Sequence, residues 1–293
     1  MSAASTSVRP ARSPRWQRVL RRVPWWIAVA FLVVVAITWV YPFVWMVSAS
    51  LKDNMEVFAA GLDLIPSRLA TENYARAWED ARFGRYLVNT VIVTLWTVFI
   101  VTLRCACAGY VLGRYRFAGS RVFMGILVAT LFVPTGYTII PIVQVSLQLG
   151  VIDSLTGMIL ALSGAANVSA ILIYAGYFRQ LPKELEEAAV VDGAGFLRIF
   201  FSVMLPLAVP VTATVALLTF LATWNAFFLP LVFSFSRPEL RTLSVGMQAF
   251  VGENAVDWTG MAAAGVISIV PVVVLFFFLQ RYFVEGIAGA VKS

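Results

Sequence analysis

The chain has 293 residues, of which 60% are hydrophobic and only 13% charged, with a mean hydropathy of +0.86. Those values exclude an ordinary water-soluble domain and put most of the chain in a lipid bilayer. The formal charge of +7 would suit nucleic acid in a polar protein. In so apolar a chain it is a topology signal, and no nucleic-acid partner is expected.

Residues 1–24 form a basic segment. Within it Trp16, Val19, Leu20 and Val23 recur at helical spacing while Arg15, Arg18 and Arg22 fall on another face, which suits an interfacial helix on an anionic leaflet. Residues before Arg15 are rich in Ser, Ala and Pro and read equally well as a disordered tail. The apolar run that follows is too long for the core of a signal peptide, about 7 to 15 residues, so it is a retained first span.

A crossing needs about 20 mostly apolar residues. The windows that meet this predict spans at Trp26–Ser48, Tyr86–Val111, Val122–Leu147, Leu155–Phe178, Val203–Phe233 and Gly260–Phe283, an all-α integral membrane protein with six transmembrane helices filling residues 25–293. Pro134 and Pro141 lie inside the third span and imply either a gating hinge or a static kink. The fifth span is the longest. Its Pro206 and Pro210 suit a first turn better than a helix interior, which predicts a helix starting near Leu205.

Lys and Arg divide unevenly between the two sides of these spans. One side holds 15 of the 22, including the N-terminal arginines, Arg114, Arg116, Arg121, Arg179, Lys183 and Arg198; the other holds seven, among them Lys52, Arg68 and Arg76. Positive charge is retained inside, so both termini and the loop of about residues 179–206 are expected to be cytoplasmic.

Chemistry-bearing constellations are sparse. The sequence contains no histidine, the commonest metal ligand and general base, and no nucleophile, base and orienter set stands out. No catalytic residue and no metal site is predicted, and Cys105 and Cys107 read as small packing residues. No G-x-x-x-x-G-K-[ST] run is present to cradle phosphates, so any ATP the system uses must be bound by another polypeptide. Polar side chains inside spans face partner helices or a water-filled path. On that ground Asn89, Gln144, Asn167 and Asn225 are candidates for a translocation path, with helix-to-helix hydrogen bonding as the alternative. Trp224, beside Asn225, is either a sugar-stacking face or a tryptophan lodged between helices.

The loop between the fourth and fifth spans reads EAAVVDGAGFLRIFFSVMLP over residues 187–206. Pro182 is placed at a first helical turn, with Glu184, Glu186 and Glu187 favouring that end. Leu185, Ala188 and Ala189 give a narrow apolar stripe with small residues. Gly193 can take the left-handed conformation that ends a helix and turns the chain. Phe196, Ile199, Phe200 and Val203 form a second stripe. The prediction is a helix, a turn and a helix, either a docking surface or a solvated acidic connector.

The spacing E-A-A, three residues, Gly, nine residues, an aliphatic residue, one residue, Leu-Pro falls on Glu187, Ala188, Ala189, Gly193, Val203, Leu205 and Pro206. It resembles the signature of membrane subunits of binding-protein-dependent ABC importers, with Val203 where isoleucine is more usual. SLKDNMEVF, ENYARAW, FGRYLVNTVIVT, GYVLGRYRFAG, WNAFFLPLVF and QRYFVEGIAGAVK extend the similarity over almost the whole chain from about Trp26, toward the maltose-type second permease of carbohydrate importers. Ala226 stands where that family often has an acidic residue.

The resemblance implies a type I ABC importer permease fold in a bacterial or archaeal cytoplasmic membrane. It implies a coupling helix whose Glu187, Ala188, Ala189, Asp192, Gly193 and Ala194 seat in a groove of an ATPase. The implied partners are a second homologous permease, two cytoplasmic ABC ATPases that hold the ATP and Mg, and an extracytoplasmic solute-binding protein touching the loop from Arg237 to Trp258. No cofactor is expected on this chain itself. The implied function is alternating-access import of a sugar or sugar derivative.

Overall fold

The computed structural model describes residues 23–59, 63–79, 81–164, 167–252 and 256–290. The expected interfacial helix and basic tail lie outside these residues. The described chain is helical, and an isolated bridge between Val251 and Val256 is its only strand-like pairing.

Three helices are long and apolar enough to cross a membrane unbroken: α1 (Val23–Ala49), then α3 (Phe83–Arg114) after the short α2 (Glu72–Trp78), and α12 (Trp258–Ala290). The other three expected spans are interrupted, and each break has a local cause. The third is an 11-residue helix, α4 (Ser120–Thr130), and a 10-residue helix, α5 (Ile139–Gln148), separated by a turn and a 3-10 segment. Neither reaches crossing length alone. Pro134 sits in this gap with extended backbone, and Pro141 is the third residue of α5, where its missing N–H has no helical acceptor to lose. Neither proline kinks a continuous helix; the static interior kink gives way to a chain break between two short helices.

The fourth span divides into α6 (Leu155–Gly164) and α7 (Val168–Gln180), bent by 57°. Asn167 enters α7 in the left-handed conformation, φ 45° and ψ 41°, one of the few residue types besides glycine that visits it readily. After the loop helix α8 (Glu184–Val191), the chain forms α9 (Phe196–Ile199), a π turn at Phe200–Met204 and a further turn at Leu205–Leu207. It then bends by 78° into α10 (Val209–Trp224). The long helix of the fifth span therefore begins at Val209, while Pro206 lies in the separate short turn Leu205–Leu207 that opens at the expected Leu205. Pro210 cannot donate to the carbonyl of Pro206 and its ring would crowd that carbonyl, so the backbone breaks at Ala208, φ −85° and ψ 8°. The same logic applies at the far end, where Pro230 follows the break at Asn225–Phe227 that separates α10 from α11 (Phe228–Phe233).

The core gathers around α3. One cluster joins Cys105, Tyr110, Ile171, Tyr174, Phe178, Ile199, Phe200 and Met204, so that α3, α7 and the π turn share buried surface. A second, toward the other end of α3, joins Phe83, Tyr86, Phe220, Trp224, Leu243 and Phe250. The approach of α3 to α7 is close: a Cβ on Gly109 would lie 2.4 Å from Tyr174 Cβ, and one on Gly113 would lie 2.6 Å from Ala175 O. This small-x-x-x-small spacing lets backbones touch where lipid supplies no hydrophobic drive between helices.

Candidate functional site

The loop at 181–207 builds as the sequence predicts, a helix, a turn and a helix. Pro182 lies two residues before α8 instead of within its first turn. The turn is a Schellman closure: Gly193 N–H donates to Val190 O at 2.9 Å and Ala194 N–H to Ala189 O at 2.9 Å. Gly193 has φ +74°, the left-handed region that costs another residue about 1–2 kcal/mol. Ala189 and Ala194, the two apolar positions such a closure brings together, both pack on the core around α3. Ala189 is thus turned inward, whereas the sequence stripe had it facing a partner. Glu187, Ala188, Asp192 and Gly193 face outward. Among them stand apolar side chains with nothing over them: Val190 is 60% exposed, Val191 87% and Leu197 67%.

Underneath, Glu186 pairs with Arg114 at the end of α3 at 2.7 Å, the side chains being 17% and 4% exposed. The sequence offered Glu186 only as a helix-start acid and Arg114 only as one of the cytoplasmic-side cations, with nothing to pair them. The loop is therefore rigidly founded below and apolar above, which suits a surface that docks on another protein better than a solvated connector.

Of the candidate path residues, Trp224 and Asn225 line one cleft, and Asn89, Gln144 and Asn167 are not among its lining. Asn89 is buried in α3, and its amide donates to Glu239 O at 2.8 Å and Arg241 O at 2.9 Å, pinning the loop that follows α11. Trp224 is 5% exposed, stacks on Phe220 at 5.0 Å and donates through Nε1 to Ser268 O at 3.2 Å. This is the packed alternative. Asn225 is exposed at the end of α10, its Nδ2 donating to Leu221 O at 2.8 Å. It shares a cleft of about 390 Å³ with Trp224, Ser244, Met247 and Ser268. Gln144 is exposed on α5 and Asn167 half-buried at the bend before α7.

At the end of the bundle opposite α8, the segment after α1 is locked to the start of α12. Asn73 Nδ2 donates to Ser50 O and Lys52 O at 3.0 and 2.8 Å, and Arg76 donates to Asn73 Oδ1 at 2.6 Å and Thr259 Oγ1 at 3.2 Å. Asp257 accepts from Gly260 N at 2.9 Å and lies 3.5 Å from Arg76, capping the first turn of α12. Glu56 accepts from Ser67 N and Oγ at 2.8 and 2.9 Å, and the backbone N–H of Ser67 above all holds its carboxyl below the usual range. Among the described residues no group of three or more His, Cys, Asp or Glu is placed to hold a metal ion.

Comparison with known proteins gives this arrangement its context. The diacetylchitobiose uptake system permease protein NgcG of Streptomyces coelicolor is 34% identical over 266 residues, covering 90% of this chain and 86% of that protein. The melibiose/raffinose/stachyose import permease protein MelC of Bacillus subtilis is 31% identical, covering 89% and 94%. Among solved structures, a bacterial ABC transporter involved in the import of the acidic polysaccharide alginate contains a chain of the same fold, with a TM-score of 0.79 at 26% identity over 93% of this chain and 99% of that one. Residues 106–289, which include α7, the Schellman turn and α10, match the family described as binding-protein-dependent transport system inner membrane component. The chain belongs to that family of ABC importer permeases.

Proposed function

We propose that this chain is the translocation subunit of an ATP-driven importer for a saccharide, and that α8 and the turn after it are where an ATPase docks. The observation that carries the reading is the exposed apolar set Val190, Val191 and Leu197 on a helix closed by Gly193 and anchored beneath by Ala189 and Ala194. Glu187, Ala188, Asp192 and Gly193 make the polar and small rim of that surface. The chain itself holds no nucleotide; ATP and Mg sit on the two ATPases. A second permease completes the pathway, and a solute-binding protein delivers the cargo at the end formed by residues 50–82 and 237–258. Both termini and α8 then face the cytoplasm, in accord with the excess of Lys and Arg on that side.

A saccharide cargo is supported by the uptake systems for which the relatives are named, and by the presence of Asn and Gln but no Lys within the spans. Gln144, Asn167 and Asn225 remain the candidate path contacts, with Asn89 and Trp224 shaping its wall. ATP-driven closure of the ATPases would move α8, and through it the spans, so that the pathway opens alternately to either side.

The test is purification of the tagged complex in mild detergent. Wild-type chain brings down an ATP-hydrolysing subunit, and Gly193→Asp, which strains the turn and puts a charge on the apolar surface, loses it. A Gly193→Asp chain that keeps the ATPase and its transport would refute the docking assignment.

A further inference from the structure

Arg114 gathers three helix ends around one buried guanidinium. It is the last residue of α3, and a buried guanidinium must be paired and must place five N–H donors. Every nitrogen here finds an acceptor. Nε and Nη2 lie 2.9 and 2.7 Å from Glu186 Oε2. Nη1 donates to Leu181 O at 2.7 Å and Phe178 O at 3.3 Å, and Nη2 also to Pro182 O at 3.3 Å. The carbonyls of Phe178 and Leu181 lie at the C-terminal end of α7, where unpaired carbonyls and the helix dipole attract a cation. Glu186 is in the first turn of α8, where the dipole favours a carboxylate.

The covalent chain joins α7 directly to α8 but reaches α3 only through the whole of α4 to α7. Arg114 therefore supplies a direct polar connection from α8 to α3, beside the packing of Ala189 on the core around α3. Gly113 beside it holds α3 against the backbone of Ala175, so the two contacts together fix α3, α7 and the foot of α8 in one geometry. A buried ion pair is weak evidence for stability, because desolvation offsets most of the attraction, but it specifies geometry.

We propose that Arg114 and Glu186 are positioning residues that make α8, α3 and the C-terminal end of α7 move as one body when the ATPases close. This rests on α8 being the docking helix. The experiment places spin labels at two exposed positions outside the proposed docking surface, Glu184 at the start of α8 and Leu95 on α3, in the assembled complex. Their separation is measured with and without ATP and vanadate.

In the otherwise wild-type complex the separation is expected to be the same in both states. In Arg114→Gln and Glu186→Gln it should shift or broaden with nucleotide while the ATPase stays bound, with transport per ATP falling about tenfold or more. A nucleotide-dependent separation in the wild type, or an unchanged one in both variants, overturns the proposal. If Arg114→Gln does not assemble, Glu186→Gln, which keeps the side-chain volume, decides alone; failure of both to assemble makes the pair a folding contact and overturns it too. Failure of the docking reading has a separate signature, an ATPase retained and fully active on Gly193→Asp.

Discussion

Gly109 and Gly176 are both helical glycines in the α3 and α7 pair, and alanine should have opposite effects at the two. Alanine is favoured over glycine inside a helix by about 0.8–1 kcal/mol. A Cβ at Gly176 meets nothing within 4 Å, so Gly176→Ala should retain most of that gain. At Gly109 a Cβ would lie 2.4 Å from Tyr174 Cβ, 2.9 Å from Ala175 N and 3.0 Å from Ile171 O. These are backbone or backbone-adjacent atoms that cannot swing aside, so α3 and α7 must separate along their whole contact. Overpacking of this kind costs about 1–3 kcal/mol, so after the propensity gain Gly109→Ala should be net destabilised by up to about 2 kcal/mol. The assay is thermal inactivation of the purified complex in mild detergent, read as the fraction still monodisperse on size exclusion. The expected order is Gly176→Ala at or above wild type and Gly109→Ala clearly below. Equal midpoints for the two variants, or Gly109→Ala at or above wild type, would refute the close-approach reasoning.

Three further outcomes follow from particular contacts. Asn89→Ala removes the donor shared by Glu239 O and Arg241 O and should cost about 1–3 kcal/mol, seen as faster proteolysis of residues 237–258. Glu56 has a lowered carboxyl pKa in the folded chain, so its contribution is present above the unfolded value and is lost as pH falls through the lowered one. The protection of the Ser67 amide against hydrogen exchange, relative to its intrinsic rate, should therefore fall on acidification below the normal carboxylate range. Asp257→Ala removes the acceptor for Gly260 N and should destabilise the start of α12 by about 1 kcal/mol, visible as increased hydrogen exchange at residues 258–261.

Local patterns with a local cause were legible in the sequence. The helix, turn and helix from Glu184 to Ile199 follows from acidic residues at a helix start, a glycine at its end and two apolar stripes, and Gly193 takes the conformation expected of it. What escaped was set by tertiary approach. Hydropathy averages over a window, so it sees Val122–Leu147, Leu155–Phe178 and Val203–Phe233 as spans and is blind to the breaks at Pro134, Asn167 and Ala208. Pro210 did carry a signal, since its ring conflicts with the carbonyl four residues back, but Pro206 offered an equally good start. Asn89 and Trp224 are polar or amphipathic residues in apolar surroundings, a pattern that packing and binding produce alike. The Arg114–Glu186 pair is separated by 72 positions, and no periodicity links them. G-x-x-x-G at Gly109 and Gly113 was readable and marks the seam that brings that pair together.

The first helix packs chiefly against the last, with Met46 close against Gly265. The segment that follows it is likewise held by Thr259 and Asp257 through Asn54, Asn73 and Arg76. During synthesis α1 is the first of the described helices to reach the membrane, yet its protein neighbour is the last to be made. Until α12 arrives, the C-terminal end of α1 lacks its protein neighbour and the outer ends of the chain cannot be fastened. Assembly of this subunit should therefore be all-or-none with respect to its C-terminal helix: an interrupted chain would leave its earliest helix orphaned and open to membrane quality control.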